Sequence, residues 1–209
     1  MGTTSTPSTL IIACGALARE LLAISELDGL DGLTVECLPA ELHNRPKEIP
    51  EAVRARVRRA EGYDRVLVGY ADCGTGGLLD AVCEEEGVTR LHGAHCYEFF
   101  ATSPRFAVLQ DHEIGSFYLT DFLVRHFDRI VWQGLGLDRH PELRSAYFGN
   151  YTRLVYLAQT DDEELRARAT RAAQRLGLEL TVVDTGYGDL RTEVAEFATA
   201  PVSLTERPK

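Results

Sequence analysis

Short apolar runs alternate with amphipathic stretches through the first hundred residues. Thr9–Ala13 (TLIIA), Leu33–Cys37 (LTVEC), Asp64–Tyr70 (DRVLVGY) and Val88–Leu91 read as strands with little polar interruption. Between them lie three helical patterns: ALARELLAIS after Cys14-Gly15, a run over residues 49–61, and GLLDAVCEEE after the glycine-rich turn Asp72–Gly77. Continuous apolar strands separated by helices point to a parallel sheet covered on both faces. The pattern loosens after residue 100. Phe117–Phe127 has helical spacing, Leu154–Ala158 reads as a strand, and residues 161–176 form a clear amphipathic helix. Thr160 or Asp161 is expected to cap that helix and Gly177 to end it. Leu178–Val183 is the last strand, followed by a Gly-Tyr-Gly turn and a terminal helix, while residues 128–150 show no clean period. The expectation is a single α/β domain over residues 10–200, Rossmann-like and doubly wound, with a regular half (10–100) and a less regular half (101–200). A disordered lead (1–9) and a tail (201–209) flank it.

Composition narrows the functional classes. The 209 residues are 44 % hydrophobic and 26 % charged, enough to bury a full core. Thirty-two acidic against 22 basic side chains leave a net charge of −10, which argues against a nucleic-acid or anionic-membrane binder. No apolar run reaches membrane-spanning length, and the start of the chain lacks the features of a secretory signal. A cytoplasmic location follows as an expectation. In such a setting, five cysteines are metal ligands, nucleophiles or core residues more often than disulfides.

Position separates those cysteines. Cys14 directly follows the first strand, Cys73 follows the third, and Cys96 lies just beyond the fourth. Ligands of open parallel sheets bind outside the carboxyl ends of the strands. If those three strands are neighbours, three thiolates can converge there on one zinc ion or one iron–sulfur cluster. Packing is the alternative for any one of them. Cys83 falls on the apolar side of a helix with Leu79 and Val82 and is expected in the core. Cys37 is a candidate fourth ligand, with packing the stronger expectation.

The turn ADCGTGG permits positive φ and presents backbone N–H groups at a helix start, so Gly74, Thr75 and Gly76 are candidates for holding a cofactor or anion. It has neither the spacing nor the lysine of the common nucleotide motifs, and a plain tight turn is the alternative. Asp72 is a cap or a proton carrier. His95 and Glu98, three residues apart, share a helix face and are candidates for acid–base work beside the metal. A surface pair is the alternative. Tyr118, Thr120, Asp121, Asp138, Arg139, His140, Asn150, Tyr151 and Gln159 are polar groups set among apolar ones, and Arg45 is a candidate for holding an anionic substrate.

IACGAL, LHNRP, VGYADCGTGG, RLHGAHCYEFF, FYLTDFL, GLGLDRHPEL and YFGNYTRLVYLAQT together resemble the bacterial and archaeal domain-of-unknown-function family 1638, from about Leu10 to Gly188. Members are similar to one another in the cysteine-bearing loops, here Cys14, Cys73 and Cys96. Ala71 stands where the resemblance leads one to expect glycine. The resemblance implies a loose link to corrinoid-dependent methyl transfer, hence one-carbon chemistry and a corrinoid-system protein partner.

The leading expectation is therefore a metalloenzyme with a three-cysteine iron–sulfur or zinc site and a small-molecule substrate. A metal-free thiol or sulfur-transfer enzyme using Cys73 is the second. A non-catalytic metal or corrinoid accessory protein is the third.

Overall fold

The computed structural model of the chain describes residues 7–200. The expected tail (201–209) lies outside these residues, as does most of the expected lead. Thr9, placed in that lead, already belongs to the first strand.

The fold is α/β, built on two parallel sheets flanked by helices. In chain order the first elements are β1 (Thr9–Cys14), α1 (Ala18–Leu27), β2 (Leu33–Leu38), α2 (Ile49–Val57), β3 (Arg65–Gly69), α3 (Leu78–Glu86), β4 (Thr89–Arg90) and α4 (Cys96–Ala101). Their four strands form one sheet in the order β2-β1-β3-β4. The register sets Ile11 opposite both Val35 and Leu67, and Leu67 opposite Thr89. β1 is central and buried along its whole length, which is why its sequence is apolar without alternation. β2 is an edge strand and only partly buried. The neighbouring of β1, β3 and β4 is the arrangement the cysteine argument requires.

The next elements are α5 (Ser103–His112), β5 (Ser116–Thr120), α6 (Asp121–Arg125), a π-helical turn (Asp128–Gln133), α7 (Leu143–Phe148), β6 (Arg153–Ala158), α8 (Glu163–Leu176) and β7 (Glu179–Asp184). The strands form a second parallel sheet, ordered β5-β6-β7. α8 buries Leu165, Ala169, Ala172, Ala173 and Leu176 along one stripe, against a core that includes Leu119, Leu154 and Tyr156. The cap of α8 is Asp162, one residue beyond the expected pair: its side chain accepts the N–H groups of Glu164 and Leu165. Gly177 ends the helix in the left-handed conformation, as expected. Phe117–Phe127 is not one helix. Its first part is β5, and the chain turns into α6 at Thr120, whose hydroxyl accepts the Leu123 N–H.

Among the described residues the chain divides into two compact units, residues 7–99 with 189–200, and residues 100–188. The final helix, α9 (Gly188–Thr199), belongs from Asp189 onward to the first unit. It buries Leu190, Val194 and Ala198 at a spacing of four, and Arg191 pairs with Asp28.

Candidate functional site

β1 and β2 run one way across the first sheet, and β3 and β4 lie on the other side of β1. The strand order therefore reverses between β1 and β3, and the loops after those strands diverge there. Cys14 is the last residue of β1, and Tyr70 and Cys73 follow β3 directly. A cavity of about 10 Å3 lies at this edge, lined by Cys14, His43, Tyr70, Cys73, Cys96 and Phe99 among others.

Each thiol is held by backbone. The Cys14 Sγ accepts the Ala16 N–H at 3.3 Å, capping a short 3-10 turn, and lies 3.4 Å from His43 Nδ1. Burial, reinforced by Cys73 and Cys37, pushes the Cys14 thiol up to about 12. Cys73 has φ of +50°, a left-handed conformation that is uncommon for a residue with a Cβ. Its N–H bonds to Ala94 O at 2.9 Å, so the strained residue is fixed from both sides of the edge. Burial raises its thiol to about 11, against the lowering effect of the Ala71 and Cys96 backbone. Burial, with Cys73 and Cys14 nearby, likewise drives the Cys96 thiol well up. Burial lowers His43, the Ala40 backbone partly offsetting it and His95 adding to it. A neutral thiol donating to a neutral imidazole is the protonation pattern these directions favour.

Tyr70 completes the wall. Only 1 % of it is exposed, and its ring stacks on His43 with centroids 6.1 Å apart and planes 17° from parallel. The approach of the Cys14 thiol does not have the geometry of a hydrogen bond, and among the described residues the hydroxyl has no partner. An unsatisfied buried hydroxyl costs about 1–3 kcal/mol.

The expected metal centre is overturned. Among the described residues no group of three or more His, Cys, Asp or Glu is placed to hold a metal ion. Cys14, Cys73 and Cys96 share the lining of one cavity with Leu17, Tyr70 and Phe99, but their sulfurs do not converge on a common bonding point. The assignment of an iron–sulfur or zinc enzyme falls with that geometry. Cys83 is buried in α3 as expected. Cys37 is exposed rather than packed, because it lies on the edge strand β2, one residue before its end.

The expected acid–base groups lie outside the cavity lining. The Asp72 carboxylate accepts N–H groups of Gly74, Gly76 and Gly77 at 3.1, 3.2 and 2.8 Å and the Thr75 hydroxyl at 2.8 Å. Those bonds, that of Gly77 foremost, hold its carboxyl down at about 2. Asp72 thus organises the turn, and the donors of Gly74, Thr75 and Gly76 point to a carboxylate of the chain itself. His95 is exposed, its ring 6.3 Å from that of Tyr97. Glu98 accepts the Ala94 N–H at 3.0 Å and folds over Gly93. His43 and Tyr70 were not picked out as cavity residues. Tyr70 was legible in principle, being the first residue past β3.

Several of the remaining polar candidates have local partners. Asp121 is fully buried at the end of β5. It accepts the Tyr156 hydroxyl at 2.7 Å, the Gln159 N–H at 3.0 Å and the Thr160 hydroxyl at 2.5 Å, while its own N–H donates to Gln159 Oε1. This ties the end of β5 to the end of β6. Arg45 is exposed and pairs with Glu48 at 3.6 Å. His140 faces Glu142, and Tyr151 packs edge-on against Phe117. A roomier groove of about 590 Å3 runs along β4 and α9. Its rim is paired, Asp80 with Arg90 and His92 with Glu193, so volume alone marks it.

No described helix is long and apolar enough to cross a membrane. No curated protein and no solved structure matches the chain. One family model does, over residues 37–194, a span that includes His43, Tyr70, Cys73 and Cys96 and leaves out Cys14. That match covers most of the sequence, and the chain belongs to the family described as proteins of unknown function, DUF1638.

Proposed function

We propose that this chain binds an uncharged small molecule at the reversal point between β1 and β3, and that the molecule meets the protein through an acceptor atom directed at Tyr70. One observation carries the reading: a buried tyrosine hydroxyl without a partner, in a cavity at the edge where open α/β sheets take their ligands. The cavity has room for about one water molecule, so one polar atom enters while the body of the ligand rests against the surrounding loops. Burial favours the neutral thiol at Cys14, Cys73 and Cys96 and the uncharged imidazole at His43. A wall of uncharged groups around the Tyr70 hydroxyl suits a carbonyl or amide oxygen. It offers no formal charge to a carboxylate.

Two small probes of similar size test this: acetamide, and acetate as its charged counterpart. Acetamide is expected to shift the backbone resonances of Cys14, Tyr70 and Cys73 saturably in the native protein. Acetate is expected to leave them in place, and Tyr70→Phe to abolish the acetamide response with the rest of the spectrum unchanged. Acetamide shifts scattered over the surface, or shifts that survive in Tyr70→Phe, would overturn the reading.

A further inference from the structure

The second unit holds ten of the twenty arginines in a chain of net charge −10. A pocket of about 320 Å3 between α6, the π-helical turn and α8 is lined by Arg125, Arg168, Arg171 and Arg175, with Asp128 and Glu164 as its carboxylates. Val124, Phe127 and Ala172 supply an apolar floor. Arg168, Arg171 and Arg175 recur at spacings of three and four, which sets them on one face of α8. Arg125 reaches the pocket from α6. The donors therefore approach from two elements, and the guanidiniums outnumber the carboxylates that face them.

The existing ion pairs leave that excess in place. Glu164 Oε1 is shared between Arg168 at 3.0 Å and Arg171 at 3.3 Å, one carboxylate for two guanidiniums. Arg125 stands 3.7 Å from Asp121, which lies outside the pocket lining and also accepts from Tyr156, Gln159 and Thr160. Arg175 pairs with Asp128, and its guanidinium lies 4.0 Å over the Trp132 ring and 5.7 Å over that of Phe127. Stacking of this kind fixes the plane of the fork, as bidentate recognition requires. Trp132 and Asp128 belong to the π-helical turn, a form often found at functional sites.

We propose that this pocket binds a phosphate dianion, as the free ion or as the head of a phosphate monoester. The guanidiniums outnumber the carboxylates they meet, Glu164, Asp128 and Asp121, by four to three, so an anion enters a positively charged pocket. Oxygens clustered on one phosphorus can accept from several forks that converge on one point, whereas a dicarboxylate needs two separated clusters. Because the pocket lies in residues 100–188, the proposal stands apart from the cavity at β1 and β3.

Trp132 is the only tryptophan of the chain, so its fluorescence reports on Arg175 directly. Inorganic phosphate is titrated into the full chain at pH 7.5, with sodium chloride holding the ionic strength constant. The expected result is a saturable fluorescence change that succinate and sulfate-free chloride buffers do not reproduce. In Arg168→Gln/Arg171→Gln the apparent affinity falls about tenfold or more, with an unchanged circular dichroism spectrum. Glu164→Gln releases two guanidiniums and tightens binding several-fold, a gain that a merely destabilised helix would not give. A response matched by chloride alone, equal binding of succinate, or affinity unaltered in both variants would overturn the proposal.

Discussion

Asp72 shows how the same residue type divides between chemistry and architecture. Its carboxylate gathers three backbone N–H groups and one hydroxyl of the turn that launches α3. A group held down to about 2 from 3.8 stabilises the folded chain when ionised. That contribution is complete above about pH 4 and is lost as the pH falls through about 2. Asp72→Asn is expected to cost about 1 kcal/mol at pH 7 by urea unfolding. The gap to the parent should close on acidification towards pH 2; a gap that is the same at pH 7 and pH 2 would show that the charge is idle. The cysteines divide in the same way. Strand-end position sufficed to bring Cys14, Cys73 and Cys96 to one cavity, because parallel strands expose their carboxyl ends along a common edge. What position could not convey was where each sulfur points, since that is set by hydrogen bonds to Ala16 and Cys96 and by the positive φ of Cys73. His43 was illegible for a related reason: it arrives from a short turn after the edge strand β2, and nothing in LHNRP signals that its ring stacks on Tyr70.

Among the elements, the contact between β1 and β3 positions everything at the candidate site. Gly69 sits opposite Ala13 in that pair. A Cβ placed on Gly69 would come within 2.7 Å of the Ala13 Cβ and 3.1 Å of Ile11 Cγ2, both on a strand that is buried throughout. Neither neighbour is the free end of a flexible side chain, so the strands themselves must part. Gly69→Ala is expected to destabilise the protein by about 1–3 kcal/mol, the usual range for overpacking a filled core. Denaturant midpoints of the two proteins check it, and an unchanged midpoint would mean the β1–β3 spacing relaxes freely. The strands of this sheet were legible because their buried runs are short, apolar and separated by helices of clear period. Phe117–Phe127 misled because β5 and α6 join without a break, and their apolar residues together mimic helical spacing. α5 gave little signal of any kind, since Phe106 is its one buried residue.

At the scale of the whole molecule, the change of sequence character near residue 100 coincides with the division into two units, whereas the return of α9 to the first unit has no local signature. A contiguous reading of periods cannot see which sheet a late helix will cover. The same blindness applies to global electrostatics, where one buried group outweighs many exposed ones. The chain has six histidines, and burial lowers the pKa of one of them, His43. The groups around it are the Cys14 thiol, the Tyr70 ring and, through a weaker repulsion, His95, and none supplies a negative charge to hold a proton. The unfolded chain takes up a proton on this ring near its ordinary value of 6.5, while the folded chain resists doing so. The neutral ring therefore contributes fully above that value, and its contribution is lost as the pH falls below it. His43→Gln removes the titration while keeping a polar side chain that can face Cys14. The parent's unfolding free energy is expected to drop between pH 7.5 and pH 5.0 more steeply than that of His43→Gln, measured by urea unfolding at matched ionic strength. Parallel slopes in the two proteins would show that His43 is protonated as readily in the fold as outside it, and the neutral wall around Tyr70 would lose one of its members.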